Sequence, residues 1–406
     1  MSQPAARLSQ GEFIALIAML FATIAFSIDA MLPALPRIAS ELTPDAPNAA
    51  QLIITSFVLG IGLGTFVAGP LSDTFGRKPV IVAGAGLYCV AALVAYAAPS
   101  LETVLAARVV QGLGAAGPRV VALALVRDLY KGREMARVVS IAMMIFTVVP
   151  AIAPILGSVI IAGFGWRGIF LAFIIFSAAS MLWFGARQPE TLPHLLRRPL
   201  RAGPLWQALR EVLAHRVVVT TIAVQALVFA CLFGTLSSTQ QIFDVTFGRG
   251  ASFPFWFALI ALMAGTASLV NAALVVRLGM RFLITITLEA QVLASLAMAA
   301  GTGLGLLPEG MAFPVYIAWT TGVFFMLGLT LGNLNALALE PMGHISGMAA
   351  SVSGALATVL AVALAVPLGL AFDGTPVPLA LGVAALAAAG FGLMKTLPPP
   401  AQAAII

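Results

Sequence analysis

Three ionisable residues, Asp29, Arg108 and Arg119, sit inside stretches of this chain that are otherwise apolar. A charged side chain within hydrocarbon costs a few kcal/mol unless it pairs, takes a proton or faces water. Asp29 lies in Phe26-Ser27-Ile28-Asp29-Ala30-Met31-Leu32-Pro33-Ala34-Leu35-Pro36, past the middle of the first apolar run. Two readings are open for it. Its carboxyl carries a proton, or it is a cap or packing acid near the surface, since Pro33 and Pro36 announce a helix end. Arg108, in Arg108-Val109-Val110-Gln111-Gly112-Leu113-Gly114-Ala115, must face protein or water; the plain alternative is a structural arginine held by backbone carbonyls. Arg119 follows eleven residues later. That is close to three helical turns, so it projects from nearly the same face, about 16 Å further along. Two cations on one face suit an anionic or zwitterionic cargo, whereas a snorkelling Arg119 would only reach for the interface.

The elements that must hold these groups follow from composition. The chain has 406 residues, 61% apolar and 9% charged. A soluble domain carries about 25% charged residues. Apolar runs fall near 12–35, 49–71, 79–98, 101–126, 137–162, 166–186, 217–242, 252–276, 281–301, 313–336, 345–372 and 375–395. Each is long enough for a bilayer crossing of about 20 residues. Unbroken runs of this kind exclude alternating transmembrane strands. The expected fold is therefore an all-α membrane protein with twelve transmembrane helices.

Charge placement sets an expected orientation. With the N-terminus inside, inner loops and helix ends hold Arg7, Arg77, Lys78, Arg127, Lys131, Arg133, Arg137, Arg187, Arg197, Arg198, Arg201, Arg210, Arg216, Arg277, Arg281 and Lys395. The outer side holds only Arg37, Arg167 and Arg249. This asymmetry puts both termini in the cytoplasm, in a cell inner membrane. The net charge of +6 is then a property of the inner face, not a nucleic-acid footprint. The first run is too long for a signal peptide and carries an acid, so no cleavage is expected. Cys89 and Cys231 lie in apolar runs and read as packing residues. No zinc signature, nucleophile elbow or phosphate-binding glycine loop is present, so neither a metal, a cofactor nor ATP is expected. The three histidines fall in loops, which argues against an enzyme buried in the membrane.

Between the second and third runs stands Gly69-Pro70-Leu71-Ser72-Asp73-Thr74-Phe75-Gly76-Arg77-Lys78-Pro79. A tight reversal between two crossings needs a permissive residue at Gly76, and Pro79 suits a helix start. By itself this turn is a positive-inside anchor. It also resembles the loop motif G-x-x-x-D-R-x-G-R-[RK] of the major facilitator superfamily, matched at Gly69, Asp73, Gly76, Arg77 and Lys78, with Thr74 where arginine is usual. The Arg108 stretch is similar to that superfamily's R-x-x-Q-G-x-G-x-A. Asp29 with Pro33 and Pro36 looks like the first-helix signature of Bcr/CflA-type drug:proton antiporters. Pro150-Ala151-Ile152-Ala153-Pro154-Ile155-Leu156-Gly157-Ser158 resembles the antiporter motif G-P-x-x-G-G, with Ala153 and Ser158 standing in for glycines.

The resemblance implies two pseudo-symmetric six-helix bundles. It implies that Arg108 tunes or relays protonation of Asp29, and that Gly69 and Asp73 face the start of helix 11, near His344, Ile345 and Ser346, closing the inner gate. Gly76, Arg77, Lys78, Asp128, Pro150, Pro154 and Gly157 complete the gating set, with Asp128 as a partner for Arg77 and the two prolines bending their helix. Phe26, Gln111, Arg119, Ser237 and Gln241 are the expected cargo contacts. The polar run Ser237-Ser238-Thr239-Gln240-Gln241 suits a cavity wall or outer gate, or is simply a helix emerging into water. Glu289, in helix 9, reads as a packing or interface residue or as a second proton site. Residues 187–216 separate a bundle at 1–186 from one at 217–406. Within them Leu205, Trp206, Leu209, Val212 and Leu213 share one face of an amphipathic helix suited to the membrane surface. Asn271 to Arg281 weakly repeats the 69–78 turn, keeping a glycine at Gly279 and a base at Arg281. The expected function is proton-coupled antiport of drugs or small amphiphilic molecules by a monomer embedded in lipid. The alternative is a dedicated carrier of an anionic or zwitterionic metabolite that uses Arg108 and Arg119.

Overall fold

The computed structural model describes residues 8–197, 199–200, 202–308 and 310–397. Arg7, Arg198 and Arg201, counted above among the inner bases, lie outside the described residues, and Leu205 lies outside the described side chains. The described residues are mostly helical: α1 Gln10–Asp29, α2 Leu35–Leu42, α3 Leu52–Phe75, α4 Arg77–Tyr96, α5 Leu101–Leu129, α6 Gly132–Phe164, α7 Gly168–Arg187, α8 Ala202–Ala214, α9 Arg216–Gln241, α10 Phe253–Gly265, α11 Ala267–Leu278, α12 Met280–Gly303, α13 Ala312–Leu339, α14 Ser346–Leu370 and α15 Val377–Lys395. No strand occurs among the described residues.

These helices make twelve crossings. The stretch Ala312–Leu370 is apolar over 59 residues, which as one helix would run about 90 Å, some three hydrocarbon cores. It folds back instead at Glu340–Ile345, where Met342 leaves helical backbone geometry. Helix α2 continues α1 after a short 3-10 turn at Leu32–Ala34. Pro33 and Pro36 lack backbone donors, so the first helix breaks at Asp29 rather than running to residue 35. The predicted crossing over 252–276 is interrupted at Thr266, whose hydroxyl donates to the carbonyl of Met263 at 2.7 Å, a local bond that competes with the helical ladder. Helix α6 continues through Pro150 and Pro154.

Twelve crossings return both chain ends to one side, here called the terminal face; the opposite side is the far face. In the first half α3 and α4 pack on α5, α4 on α7, and α1 on α6. In the second half α9 packs on α13, α14 and α15, and α12 on α13 and α15. The halves meet through α3 with α14 and α6 with α10. Small residues permit the closest approaches. A Cβ on Gly60 of α3 would lie 2.0 Å from the carbonyl oxygen of Val109 in α5.

The internal repeat is visible in the backbone. Gly76 between α3 and α4 has φ +106°, and Gly279 between α11 and α12 has φ +82°. Both turns use a conformation that residues with a Cβ rarely adopt. Helix α8 buries Ala208, and its Val212, with Leu209 partly covered, joins a cluster that includes Ala338, Met342 and Val352. Trp206 and Leu213 stay 63% and 51% exposed. The apolar face predicted for the membrane surface is thus divided between the underside of the second half and the exterior.

Candidate functional site

Around Arg108 the first half gathers a buried polar knot. Phe57 lies 4.1 Å below the guanidinium and Phe173 5.9 Å away. Arg108 donates from Nε to the Ile53 carbonyl at 3.2 Å, from Nη2 to the Ser27 carbonyl at 3.0 Å, and from Nη1 to Gln111 Oε1 at 2.8 Å. It therefore ties α5 to α1 and α3 and has no accessible surface. The Ser27 hydroxyl donates to the Thr23 carbonyl at 2.6 Å and accepts from the Tyr88 hydroxyl. Gln111 Nε2 is buried without a partner among the described residues.

Asp29 ends α1 beside this knot and is 5% exposed. Among the described residues it forms no ion pair, with Arg108 or any other base. One residue later, the carbonyl of Ala30 lies 2.2 Å from where a Cβ on Gly157 would be, so only glycine lets α6 pass α1 there. Arg119 is different: its side chain is exposed. Phe26 stands 5.4 Å from both Phe173 and Phe176 of α7.

At the terminal face the Gly69–Lys78 turn is built into an ionic cluster. Arg77 pairs with Asp73, bonds Ser72 Oγ at 2.7 Å and reaches Asp128 Oδ2 at 3.2 Å. The start of α4 is capped from a distance. Glu190 accepts from the Arg77 amide at 2.9 Å and the Lys78 amide at 3.0 Å. These are two of the orphan donors every helix start presents, and a carboxylate also suits the positive end of the helix dipole. A Cβ on Gly76 would lie 2.5 Å from Glu190 Oε2, so the cap and the turn both require glycine. Lys78 Nζ donates to the Gly185 carbonyl at 2.5 Å, and Thr191 Oγ1 to Asp128 Oδ2 at 2.9 Å. Asp73 and Arg127 line a cavity of 430 Å³ together with His344 and with Ser346, the first residue of α14; Gly69 and Ser351 also line it. Asp73 thus shares a cavity with the start of α14, while its ionic bond is to Arg77.

At the far face the halves are tied by uncharged groups. Gln51 Nε2 donates to Gln241 Oε1 at 2.5 Å, and Ser238 Oγ to Gln51 Oε1 at 3.0 Å. Gln241 Nε2 donates to Asn48 Oδ1 at 2.7 Å, and Asn48 Nδ2 to the carbonyls of Leu370 and Phe372 at 3.1 and 2.8 Å. Ser237 is buried and donates within its own helix to Gly234 at 3.2 Å. Gly369 gives the Gln51 side chain room, since a Cβ there would lie 2.5 Å from its Oε1.

Asn48, Gln51, Tyr88 and Glu190 escaped the sequence reading. Glu190 stands in Gln188-Pro189-Glu190-Thr191, where an acid follows the sixth run directly, yet nothing local shows that it returns to a turn more than a hundred residues earlier.

The Major Facilitator Superfamily family model matches residues 15–367. Over 339 residues the chain is 29% identical to a "Bicyclomycin resistance protein homolog" of Haemophilus influenzae, covering 82% of each chain. It is 30% identical over 330 residues to "Multidrug resistance protein MdtL" of Escherichia coli O81, covering 80% of each. These names agree with the Bcr/CflA-type branch that the first-helix motif resembles. Among solved structures, the xylose transporter XylE from E. coli, in a partially occluded inward-open conformation, superposes with a TM-score of 0.74 at 12% identity, over 96% of this chain and 99% of XylE. The human organic anion transporter MFSD10 gives 0.65 at 17% identity, over 96% of this chain and 100% of that one. The twelve-crossing fold, the turn at Gly76 and the match along most of the sequence lead to one conclusion: this chain is a member of the Major Facilitator Superfamily.

Proposed function

We propose that this protein exports drugs or other small amphiphilic molecules in exchange for protons, by alternating access between two six-helix halves at 1–186 and 217–406. It works as a monomer in the cell inner membrane, with both termini and the 187–216 segment in the cytoplasm; the terminal face is then the cytoplasmic one. The observation that carries this reading is Asp29, a buried carboxyl in the first crossing with no ionic partner among the described residues. A proton arriving from outside neutralises it and lowers the cost of moving the site through the membrane. Each charge carried across ~100 mV contributes ~2.3 kcal/mol, enough to bias the cycle. The names of the relatives, bicyclomycin resistance and multidrug resistance, support drugs as the cargo class. Arg108 positions the segment before Asp29 through the Ser27 carbonyl.

A second reading, a carrier of an anionic or zwitterionic metabolite, is favoured by Arg119, an exposed cation within α5, the helix that also carries Arg108. Arg108 supplies field but no contact there, because it is fully buried. Expression in a strain stripped of its own exporters separates the two. Efflux predicts raised resistance to several cationic or neutral amphiphiles; an unchanged susceptibility profile across them overturns it.

A further inference from the structure

A cleft of 380 Å³ opens on the far face beside the Gln51–Gln241 tie. Leu35 and Pro36 from the first half face Asp244 and Val245 from the second, and the tied pair lines it too. Asp244 and Val245 belong to a single π-helical turn, Ile242–Thr246, that extends α9. Such turns widen a helix by one residue and re-aim its side chains. The Asp244 carboxylate rests against Gly250, where a Cβ would lie 2.3 Å from Oδ1. It has no ion pair among the described residues. The bases of this face are engaged elsewhere: Arg167 with Glu41, Arg37 with the Ile161 carbonyl, and Arg249 4.4 Å over the Phe313 ring.

One carboxylate, two neutral amides and apolar walls, in a volume suited to a small organic molecule, define a ligand class. We propose that this cleft binds an organic monocation with an apolar body, such as a quaternary or protonated amine, and that it does so only while the far ends of the two halves are together. The second part follows from geometry. The walls belong to different halves, so the cleft is lost when they separate, and a ligand that binds one state alone draws the population toward it. A cation arriving from the far side thereby holds the latch shut and opposes the cycle. The site is separate from Asp29, which is buried within the first half, and does not depend on the cargo proposed above.

The test is calorimetric titration of the purified full-length protein with benzyltriethylammonium. Each variant is first checked for an unchanged thermal transition. Binding is expected to weaken about fivefold to tenfold in Asp244→Asn. Val245→Lys, a change at an exposed position, is expected to abolish it. Asn48→Ala lies outside the cleft lining but removes latch bonds, and is expected to weaken binding severalfold by population shift alone. Asp29→Asn, outside the cleft, is expected to retain binding, altered only by any change in the population of the closed state. No binding to the native protein, or equal binding to Asp244→Asn and Val245→Lys, overturns the site. Full affinity in Asn48→Ala overturns its dependence on the closed state. Loss in Asp29→Asn with retention in Asp244→Asn moves the cation to the interior; that overturns this site while the efflux reading stands.

Discussion

Gln51 and Gln241 meet across the two halves of the molecule, amide to amide at 2.5 Å, although 190 residues separate them in the chain. Neither is charged, so the tie is insensitive to pH and only weakly sensitive to salt. A neutral hydrogen bond contributes roughly 0.5–1.5 kcal/mol net. Replacing both Gln51 and Asn48 by alanine should therefore move the opening equilibrium about tenfold or more toward a parted far face. Spin labels at Ser40 and Val245, one on each half, should report a longer distance distribution. An unchanged distribution would mean that other contacts hold the halves together.

The cap on α4 gives a prediction about stability. Glu190→Ala removes acceptors for the amides of Arg77 and Lys78. Losing a helix cap costs about 1–2 kcal/mol, and Glu190→Gln should recover part of that because it keeps an acceptor oxygen. Thermal unfolding in detergent checks the order native, Gln, Ala. Equal transitions for all three would show that water replaces the carboxylate without cost.

Arg108 and Arg119 should respond oppositely. Arg108→Ala strands the buried carbonyls of Ser27 and Ile53, at roughly 1–3 kcal/mol each, so the protein should unfold at clearly lower temperature. Arg119→Gln deletes an accessible group and should leave stability within about 0.5 kcal/mol. Its transport phenotype then discriminates between cargo classes. Export of cations should persist or improve, whereas a carrier of anions should lose most of its flux.

Much of this architecture was legible before any coordinates. Apolar run length alone counts twelve crossings, because lipid leaves the backbone no other option. The turn at Gly76 and the pairing of Arg77 with Asp128 could be anticipated from residue type, since few groups in the chain are able to satisfy them. What stayed hidden has a common cause. Helix α1 is apolar all round, so its periodicity does not say which face meets lipid, neighbour or cavity. Phe26, expected as a cargo contact, packs against Phe173 and Phe176. The break at Asp29 came early because two prolines just beyond it withdraw helical donors. Glu190 and Gln51 act on partners more than a hundred residues distant, which no local pattern encodes. Ala208 is buried on α8 beside Val212, a small residue whose burial an amphipathic pattern undervalues.

Proton coupling through Asp29 is most directly tested in proteoliposomes with a pH-sensitive dye inside and an imposed proton gradient, adding cargo to the native protein and to Asp29→Asn. The native protein should show cargo-dependent proton movement, and the variant should bind cargo yet move no protons with it. Undiminished coupled proton flux in Asp29→Asn would contradict the account.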